Sequence, residues 1–93
     1  MNLTVEYFAQ ARAVAGVAMD GVSLSSPATL RDLIAELVRR HGPKLESLLL
    51  PGGELSRTVI FAVGESQVPP GENIKLSDGD HVVIIPPISG GRR

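Results

Sequence analysis

The stretch TLRDLIAELVRRHGP, residues 29–43, decides the fold class of this chain. Thr29 stands where a helix N-cap is expected, and Asp32 follows three residues later, as the acidic residue does in a capping box. Gly42 and Pro43 end the pattern, as expected where a helix stops. The stretch predicts an amphipathic helix that must pack its apolar face against a second layer. The residues of this face recur at helical spacing, and the last of them is a histidine: Leu30, Leu33, Ile34, Leu37, Val38 and His41.

Alternating apolar and polar residues on both sides of this helix predict β-strands. In MNLTVEYF, residues 1–8, we assign Leu3, Val5 and Tyr7 to the core face and Phe8 to the opposite face. Shorter helical pieces are predicted in the alanine-rich stretch 9–16 and at 44–50. Further strands are predicted at 17–24, at 58–63 (TVIFAV), near Gln67 and Val68, and at 81–87 (HVVIIPP), where two prolines stop the pattern.

The predicted order is strand, strand, helix, strand, short strand, strand, which indicates a small α+β domain. The ubiquitin-like β-grasp has this order: one main helix covers a mixed sheet of four or five strands, and the first and last strands run parallel at its centre. In that arrangement Phe8 and Ile85 lie close together on the uncovered face, with Ile60 or Ala62 beside them. Such an apolar patch predicts a contact site; the alternative is that loops half-cover these residues.

The composition of the 93 residues excludes several kinds of chemistry. There is no cysteine, which rules out disulfides, thiolate catalysis and zinc sites built on sulfur. His41 and His81 are far apart in sequence, and we expect neither to bind a metal. The formal net charge of −1 favours neither a nucleic-acid nor a membrane surface. Because we find no catalytic motif and no signal peptide, we expect a cytoplasmic protein without catalytic residues.

Three short motifs carry a resemblance to a known family. They are FAQAR at residues 8–12, LSDGDHV at 76–82 and PPISGG at 86–91. In this order and at this chain length they resemble the MoaD/ThiS family of ubiquitin-like sulfur carriers, and within it the small subunits of molybdopterin synthase. The resemblance covers residues 2–91.

The resemblance implies a carrier and not an enzyme. The carboxylate of the terminal glycine, here Gly91, would be adenylated with ATP on an E1-like activating enzyme and converted to a thiocarboxylate. That sulfur would pass to a molybdopterin synthase large subunit, or to another sulfur acceptor, in molybdenum cofactor biosynthesis. No cofactor would be bound, because the activating partner uses the ATP. Ser89 and Gly90 would thread the tail into a narrow channel, and glycine suits this because it has no Cβ.

Partner contacts are also implied by the resemblance and by the uncovered face. We predict one β-grasp domain over residues 1–88 and a flexible tail over 89–93 that carries Gly90 and Gly91. Pro86 and Pro87 are expected to stiffen the exit of this tail. The residues predicted to contact partners are Phe8, Arg12, Ile85, Pro86 and Pro87.

Arg92 and Arg93 follow the glycine pair, so Gly91 is peptide-linked and has no free carboxylate. Three explanations stay open. A metallopeptidase of the deubiquitinase type removes the two arginines; the ending carries no function; or the domain is never thiolated and is a β-grasp interaction module or a subunit of a fused complex. Among carriers, one that serves cysteine, thiamine or another sulfur metabolite is the alternative to molybdenum cofactor synthesis.

Overall fold

Five strands form one mixed sheet in the order β2-β1-β5-β3-β4. The computed structural model describes residues 1–87 of the chain. The central strands β1 and β5 run parallel, with Val5 beside Val82 and Tyr7 beside Ile84, and all other neighbouring strands are antiparallel. The predicted mixed sheet with a parallel central pair is therefore confirmed. The strands are β1 (Asn2–Tyr7), β2 (Met19–Ser23), β3 (Ile60–Val63), β4 (Ser66–Gln67) and β5 (His81–Ile85).

The main helix, α2, spans Leu30–His41 as predicted. The side chain of Thr29 accepts a hydrogen bond from the Asp32 N–H, and the Asp32 carboxylate accepts one from the Thr29 N–H, which completes the predicted capping box. Gly42 ends the helix with φ of 97°, a conformation that favours glycine. On the predicted apolar face, Val38 and His41 are only half-buried, whereas four residues are fully buried: Leu30, Leu33, Ile34 and Leu37.

Two seven-residue helices complete the helical layer at the places where the sequence predicts shorter pieces. Helix α1 spans Ala9–Ala15 and ends at Gly16, which adopts the left-handed conformation with φ of 80°. Helix α3 spans Pro43–Leu49, with proline at its first position, where a missing N–H costs nothing. A single 3₁₀ turn, Pro51–Gly53, follows α3. Among residues 1–87, no helix is long and apolar enough to cross a membrane.

The core lies between α2 and one face of the sheet. Side chains of alternate strand residues enter it, among them Val5 of β1, Phe61 of β3 and Ile84 of β5. The second strand and β3 are shorter than predicted, and Phe8 follows β1 instead of belonging to it. The predicted boundary between domain and tail, at residues 88–89, lies outside the described residues and stays a prediction.

Candidate docking surface and carboxyl-terminal exit

The second face of the sheet is not covered by α2, and we call it the outer sheet face. Register places Met19 opposite Glu6, Glu6 beside Val83, and Val83 opposite Ala62, so these four side chains form a row across the sheet. None of the strand residues on this face is fully buried. The outer sheet face consists of Asn2, Thr4, Glu6, Met19, Gly21, Ser23, Ile60, Ala62, Gln67, His81, Val83 and Ile85.

Three large apolar side chains lie at the end of the outer sheet face where β1 and β5 finish. Phe8, Ile60 and Ile85 are 41%, 39% and 37% exposed. Ile60 lies directly opposite Ile85 in the pairing of β3 with β5. The N–H of Phe8 donates to the carbonyl oxygen of Ile84 at 3.0 Å, and this hydrogen bond continues the parallel pairing of β1 with β5, so that Phe8 lies beside Ile85. We call these three residues the docking patch. Their predicted proximity and exposure are confirmed, and the half-exposed Ala62 borders them in the next row.

The backbone around Phe8 turns the chain sharply from β1 into α1. Phe8 is extended and precedes the helix, without a capping hydrogen bond from its side chain. Ala9 adopts a positive φ of 52°, which costs a non-glycine residue roughly 1–2 kcal/mol. Arg12 lies one turn further on, exposed, and its N–H reaches the carbonyl oxygen of Phe8 at 3.4 Å. The predicted contact residues Phe8 and Arg12 therefore share one short segment.

The prediction that Pro86 contacts partners is wrong. This proline is fully buried, whereas Pro87 is exposed. The reason is the period-two alternation of a strand: Pro86 continues the series of Val82 and Ile84, which point into the core. Pro86 therefore anchors the end of β5 and offers no surface to a partner. Ser89, Gly90, Gly91, Arg92 and Arg93 lie outside the described residues.

A polar network that the sequence does not predict lies behind the docking patch. The hydroxyl of Tyr7 donates to Asp20 Oδ2 at 2.7 Å, and His41 Nε2 donates to the same oxygen at 2.6 Å. Arg40 donates to the carbonyl oxygen of Gly21 at 2.9 Å and lies 3.8 Å from Asp20 Oδ1. The rings of Tyr7 and His41 meet edge to face with centroids 5.9 Å apart. The network joins the end of β1, the start of β2 and the end of α2.

The network shifts the titration of two of its members. Burial alone raises the pKa of Asp20, but the hydrogen bonds from Tyr7 and His41, with the charges of His41 and Arg40, outweigh it and lower the pKa. The pKa of the Tyr7 hydroxyl is raised, chiefly by burial. The hydrogen bond to Asp20 and the negative charge of Asp20 raise it further. The carboxylate of Asp20 is therefore ionised and Tyr7 is neutral at neutral pH.

A second imidazole–carboxylate pair lies on the outer sheet face itself. His81 Nε2 donates to Glu6 Oε1 at 3.1 Å, and the two side chains are 44% and 35% exposed. The two histidines are thus on opposite sides of the sheet, each paired with one carboxylate. Within residues 1–87, no group of three or more histidine, aspartate or glutamate side chains is placed to hold a metal ion.

The sheet order, its parallel central pair and the single long helix define a ubiquitin-like β-grasp protein. A sequence model of the ThiS family matches residues 5–91, and the chain belongs to that family. The chain is 40% identical over 91 residues to the molybdopterin synthase sulfur carrier subunit of Chlamydomonas reinhardtii. The matched region covers 98% of this chain and 100% of that relative. The resemblance to sulfur carriers is thereby confirmed.

Solved structures agree with the fold. SAMP1 from Haloferax volcanii matches with a TM-score of 0.84 and 30% identity over 98% of this chain and 100% of its own. A putative molybdopterin converting factor, subunit 1, from Pyrococcus furiosus matches with a TM-score of 0.73 and 34% identity over 95% of this chain and 99% of its own. The predicted β-grasp fold is therefore confirmed.

Proposed function

We propose that this chain is the sulfur carrier subunit of a molybdopterin synthase and that Gly91 carries the sulfur. One observation supports this most directly: the family match runs from residue 5 to Gly91 and ends immediately before the two arginines. The central strand β5 leads to this glycine from beside the docking patch. The group that would carry the sulfur is therefore a main-chain carboxyl, and the chemistry needs no reactive side chain.

The chemistry takes place in two steps on an ATP-dependent, E1-like activating enzyme. A carboxylate oxygen of Gly91 attacks the α-phosphorus of ATP, and pyrophosphate leaves. A hydrosulfide ion delivered by a sulfur donor then attacks the carbonyl carbon of the acyl-adenylate, the bond from that carbon to the phosphate oxygen breaks, and AMP leaves. Loss of the S–H proton gives the thiocarboxylate. The carrier supplies the substrate carboxylate but no acid, base or nucleophilic side chain, so it acts as a co-substrate and not as an enzyme.

Docking positions the tail for both partners. The docking patch exposes three large apolar side chains next to the exit of β5, and burying apolar area of this kind drives association. We propose that the activating enzyme and the synthase large subunit cover this patch in turn. The exposed Arg12 and Pro87 flank the patch and complete the contact.

Gly91 becomes reactive only after the bond to Arg92 is hydrolysed. The Gly91 carbonyl carbon belongs to a peptide bond in this sequence, and an amide offers no oxygen anion to attack ATP. The long cationic side chains of Arg92 and Arg93 would also have to lose water and rotamer freedom in a channel that fits glycine. We therefore propose that a peptidase cleaves after Gly91.

The test compares three purified forms of the chain: residues 1–93, 1–91 and 1–90. Each is incubated with the activating enzyme, ATP and a sulfur donor, and intact mass is measured. Only the form ending at Gly91 is expected to exchange one oxygen for sulfur, and the 93-residue form should do so only after trimming by a peptidase of the source cell. The thiolated form is then mixed with the large subunit and the molybdopterin precursor to identify the acceptor.

The possible results separate the parts of the proposal. Thiolation of the untrimmed chain at Arg93 would contradict the requirement for processing. Thiolation at Gly91 without transfer to the precursor would point to a carrier for another sulfur pathway. If the form ending at Gly91 is never adenylated, the chain is an interaction module and the sulfur-carrier function is wrong.

A further inference from the structure

Pro86 and Pro87 have the same covalent structure but lie in opposite environments. The side chain of Pro86 is fully buried and follows Val82 and Ile84 on the core face of β5, whereas Pro87 is exposed. Neither proline has a backbone N–H, so β5 cannot extend its pairing beyond Ile85 by donating further hydrogen bonds. Within residues 1–87, the last side chain that the core holds therefore comes one position after the last strand residue.

The backbone that leads into Pro86 is held from both sides of β5. On the side of β1, the N–H of Phe8 donates to the carbonyl oxygen of Ile84 at 3.0 Å. On the side of β3, Ile60 pairs with Ile85 in the antiparallel register. Helix α1, which follows Phe8, also packs against β5. The buried ring adds a side-chain contact with the core directly after these backbone contacts, so the position of Pro86 relative to the docking patch is fixed.

The two prolines also limit the direction in which the chain leaves the sheet. The ring of Pro86 sets its own φ at about −65°, and the ring of Pro87 restricts Pro86 to extended or polyproline conformations. Five peptide bonds lead from Pro86 to Gly91. A chain of this length spans at most about 18 Å. A change of direction at residue 86 therefore moves the region that Gly91 reaches by several ångströms.

We propose that Pro86 is a positioning residue for adenylation: its buried ring fixes the start and direction of the segment that ends at Gly91, and so raises the fraction of docked complexes in which the Gly91 carboxylate meets ATP. The inference rests on the proposed function for the reaction itself. Once the carrier has docked, delivery of the carboxylate is an intramolecular step, which is faster when more of the chain is ordered in advance. Ordering the backbone of one free residue corresponds to a factor of about ten in an equilibrium.

The alternative is that Pro86 contributes to stability alone, as any core residue does. The two roles change different kinetic constants. A residue that acts only on stability leaves kcat and KM unchanged as long as the chain is folded. A positioning residue lowers kcat for adenylation but not the affinity of docking, because Phe8 and Ile60 of the docking patch lie outside the substituted segment and Ile85 keeps its pairing with Ile60.

The experiment measures adenylation of the form ending at Gly91 by ATP–pyrophosphate exchange on the activating enzyme. The temperature is chosen so that circular dichroism shows every variant to be folded. In Pro86→Gly the buried ring is lost and residue 86 gains backbone freedom, so kcat should fall about tenfold, while KM for the carrier should change less than about twofold. In Pro86→Val an apolar side chain of similar volume occupies the buried position, and kcat should return to within a factor of about three of the natural sequence.

Val22→Ala is the matched control for a loss of stability. Val22 is buried like Pro86, but it lies on β2 opposite Leu3, at the end of β1 remote from the docking patch. Removing two methyl groups there should lower the free energy of unfolding without touching the end of β5. Both kcat and KM of this variant should equal those of the natural sequence.

Three results would overturn the inference. If Pro86→Gly keeps the natural kcat, or raises KM instead of lowering kcat, Pro86 does not position the carboxylate. If Pro86→Val is as slow as Pro86→Gly, burial of the side chain is not what orders the chain. If Val22→Ala lowers kcat as much as Pro86→Gly does, the effect is one of stability. Failure of the proposed function is seen separately: the form ending at Gly91 with the natural sequence then shows no exchange at all, and the inference falls with it.

Discussion

Substitution of Asp20 by alanine tests whether the network behind the docking patch stabilises the fold. One carboxylate oxygen of Asp20 accepts from both Tyr7 and His41, at 2.7 and 2.6 Å. Tyr7 is 1% exposed, and the His41 side chain is 16% exposed. Removing the carboxylate leaves a buried hydroxyl without its acceptor and an imidazole without its counter-charge.

The expected loss follows from these two groups. A buried donor left unsatisfied costs about 1–3 kcal/mol, and a hydrogen bond to a charged group is worth about 1.5–3 kcal/mol. Because the two contributions share one oxygen, they are not additive, and Asp20→Ala should lower the free energy of unfolding by about 2–4 kcal/mol. Tyr7→Phe removes one donor but leaves Asp20 with His41 and Arg40, so its cost should be nearer to about 1 kcal/mol.

A double variant of Asp20 and Tyr7 distinguishes the loss of a hydrogen-bond acceptor from a disturbance of packing. In Asp20→Ala the tyrosine hydroxyl is the stranded group, and adding Tyr7→Phe removes it. The double variant should therefore be more stable than Asp20→Ala alone, by about 1 kcal/mol. If each substitution merely disturbed packing, the two losses would add and the double variant would be the least stable of the three.

The effect of Asp20 should also depend on pH. Because the pKa of Asp20 is lower in the folded chain than in the unfolded one, its contribution is fully present above about pH 4 and is lost as pH falls through the folded value. The difference in unfolding free energy between the natural sequence and Asp20→Ala should therefore shrink below about pH 4. A difference that stays constant down to pH 2 would contradict the ion-pairing role.

Urea unfolding followed by circular dichroism measures these values. Glu65→Gln is the control, since it removes one negative charge from an exposed side chain that makes no hydrogen bond within the described residues. It should change the unfolding free energy by less than about 0.5 kcal/mol. A loss below that same limit for Asp20→Ala would refute the assignment of the network as a stabilising element.

Four further substitutions test the fold and the docking patch. Leu37→Ala should lower the unfolding free energy by about 2–5 kcal/mol in urea titrations, because the side chain is fully buried; an unchanged midpoint would contradict the core assignment. Thr29→Ala should cost about 0.5–2 kcal/mol in the same assay by opening the capping box, and no loss would mean the cap is not needed. Ala9→Gly should raise the melting temperature or leave it unchanged, because glycine relieves the positive φ, whereas a marked decrease would contradict the strained backbone. Phe8→Asp should keep the fold, since aspartate is a preferred N-cap for α1, but should weaken binding of the large subunit at least tenfold in calorimetry. The control Ala35→Asp, on the exposed side of α2, should bind normally; unfolding of Phe8→Asp would place Phe8 in the core.

The main helix and the sheet could be predicted because their signals are local. Helical spacing and a capping box determine α2, and period-two alternation determines the central strands, so the β-grasp order follows from residues near each other in the chain. The docking patch is also predictable, since Phe8, Ile60 and Ile85 are apolar at positions that alternation assigns to the uncovered face. The motifs at 8–12, 76–82 and 86–91 identify the sulfur-carrier family from sequence.

The polar pairs and the burial of Pro86 depend on contacts between distant segments. Asp20 contacts Tyr7 and His41 only because β2 pairs with β1 and the end of α2 lies against both strands. In the sequence, the network is indicated only by Tyr7, a core-facing tyrosine whose hydroxyl needs a hydrogen-bond partner. Glu6 and His81 are 75 positions apart and become neighbours through the parallel pairing of β1 with β5. Pro86 looks like the start of a projecting tail in the sequence, but the alternation of β5 directs it into the core. Sequence periodicity therefore determines which face of each element is apolar, while only the register between strands decides which polar side chains meet.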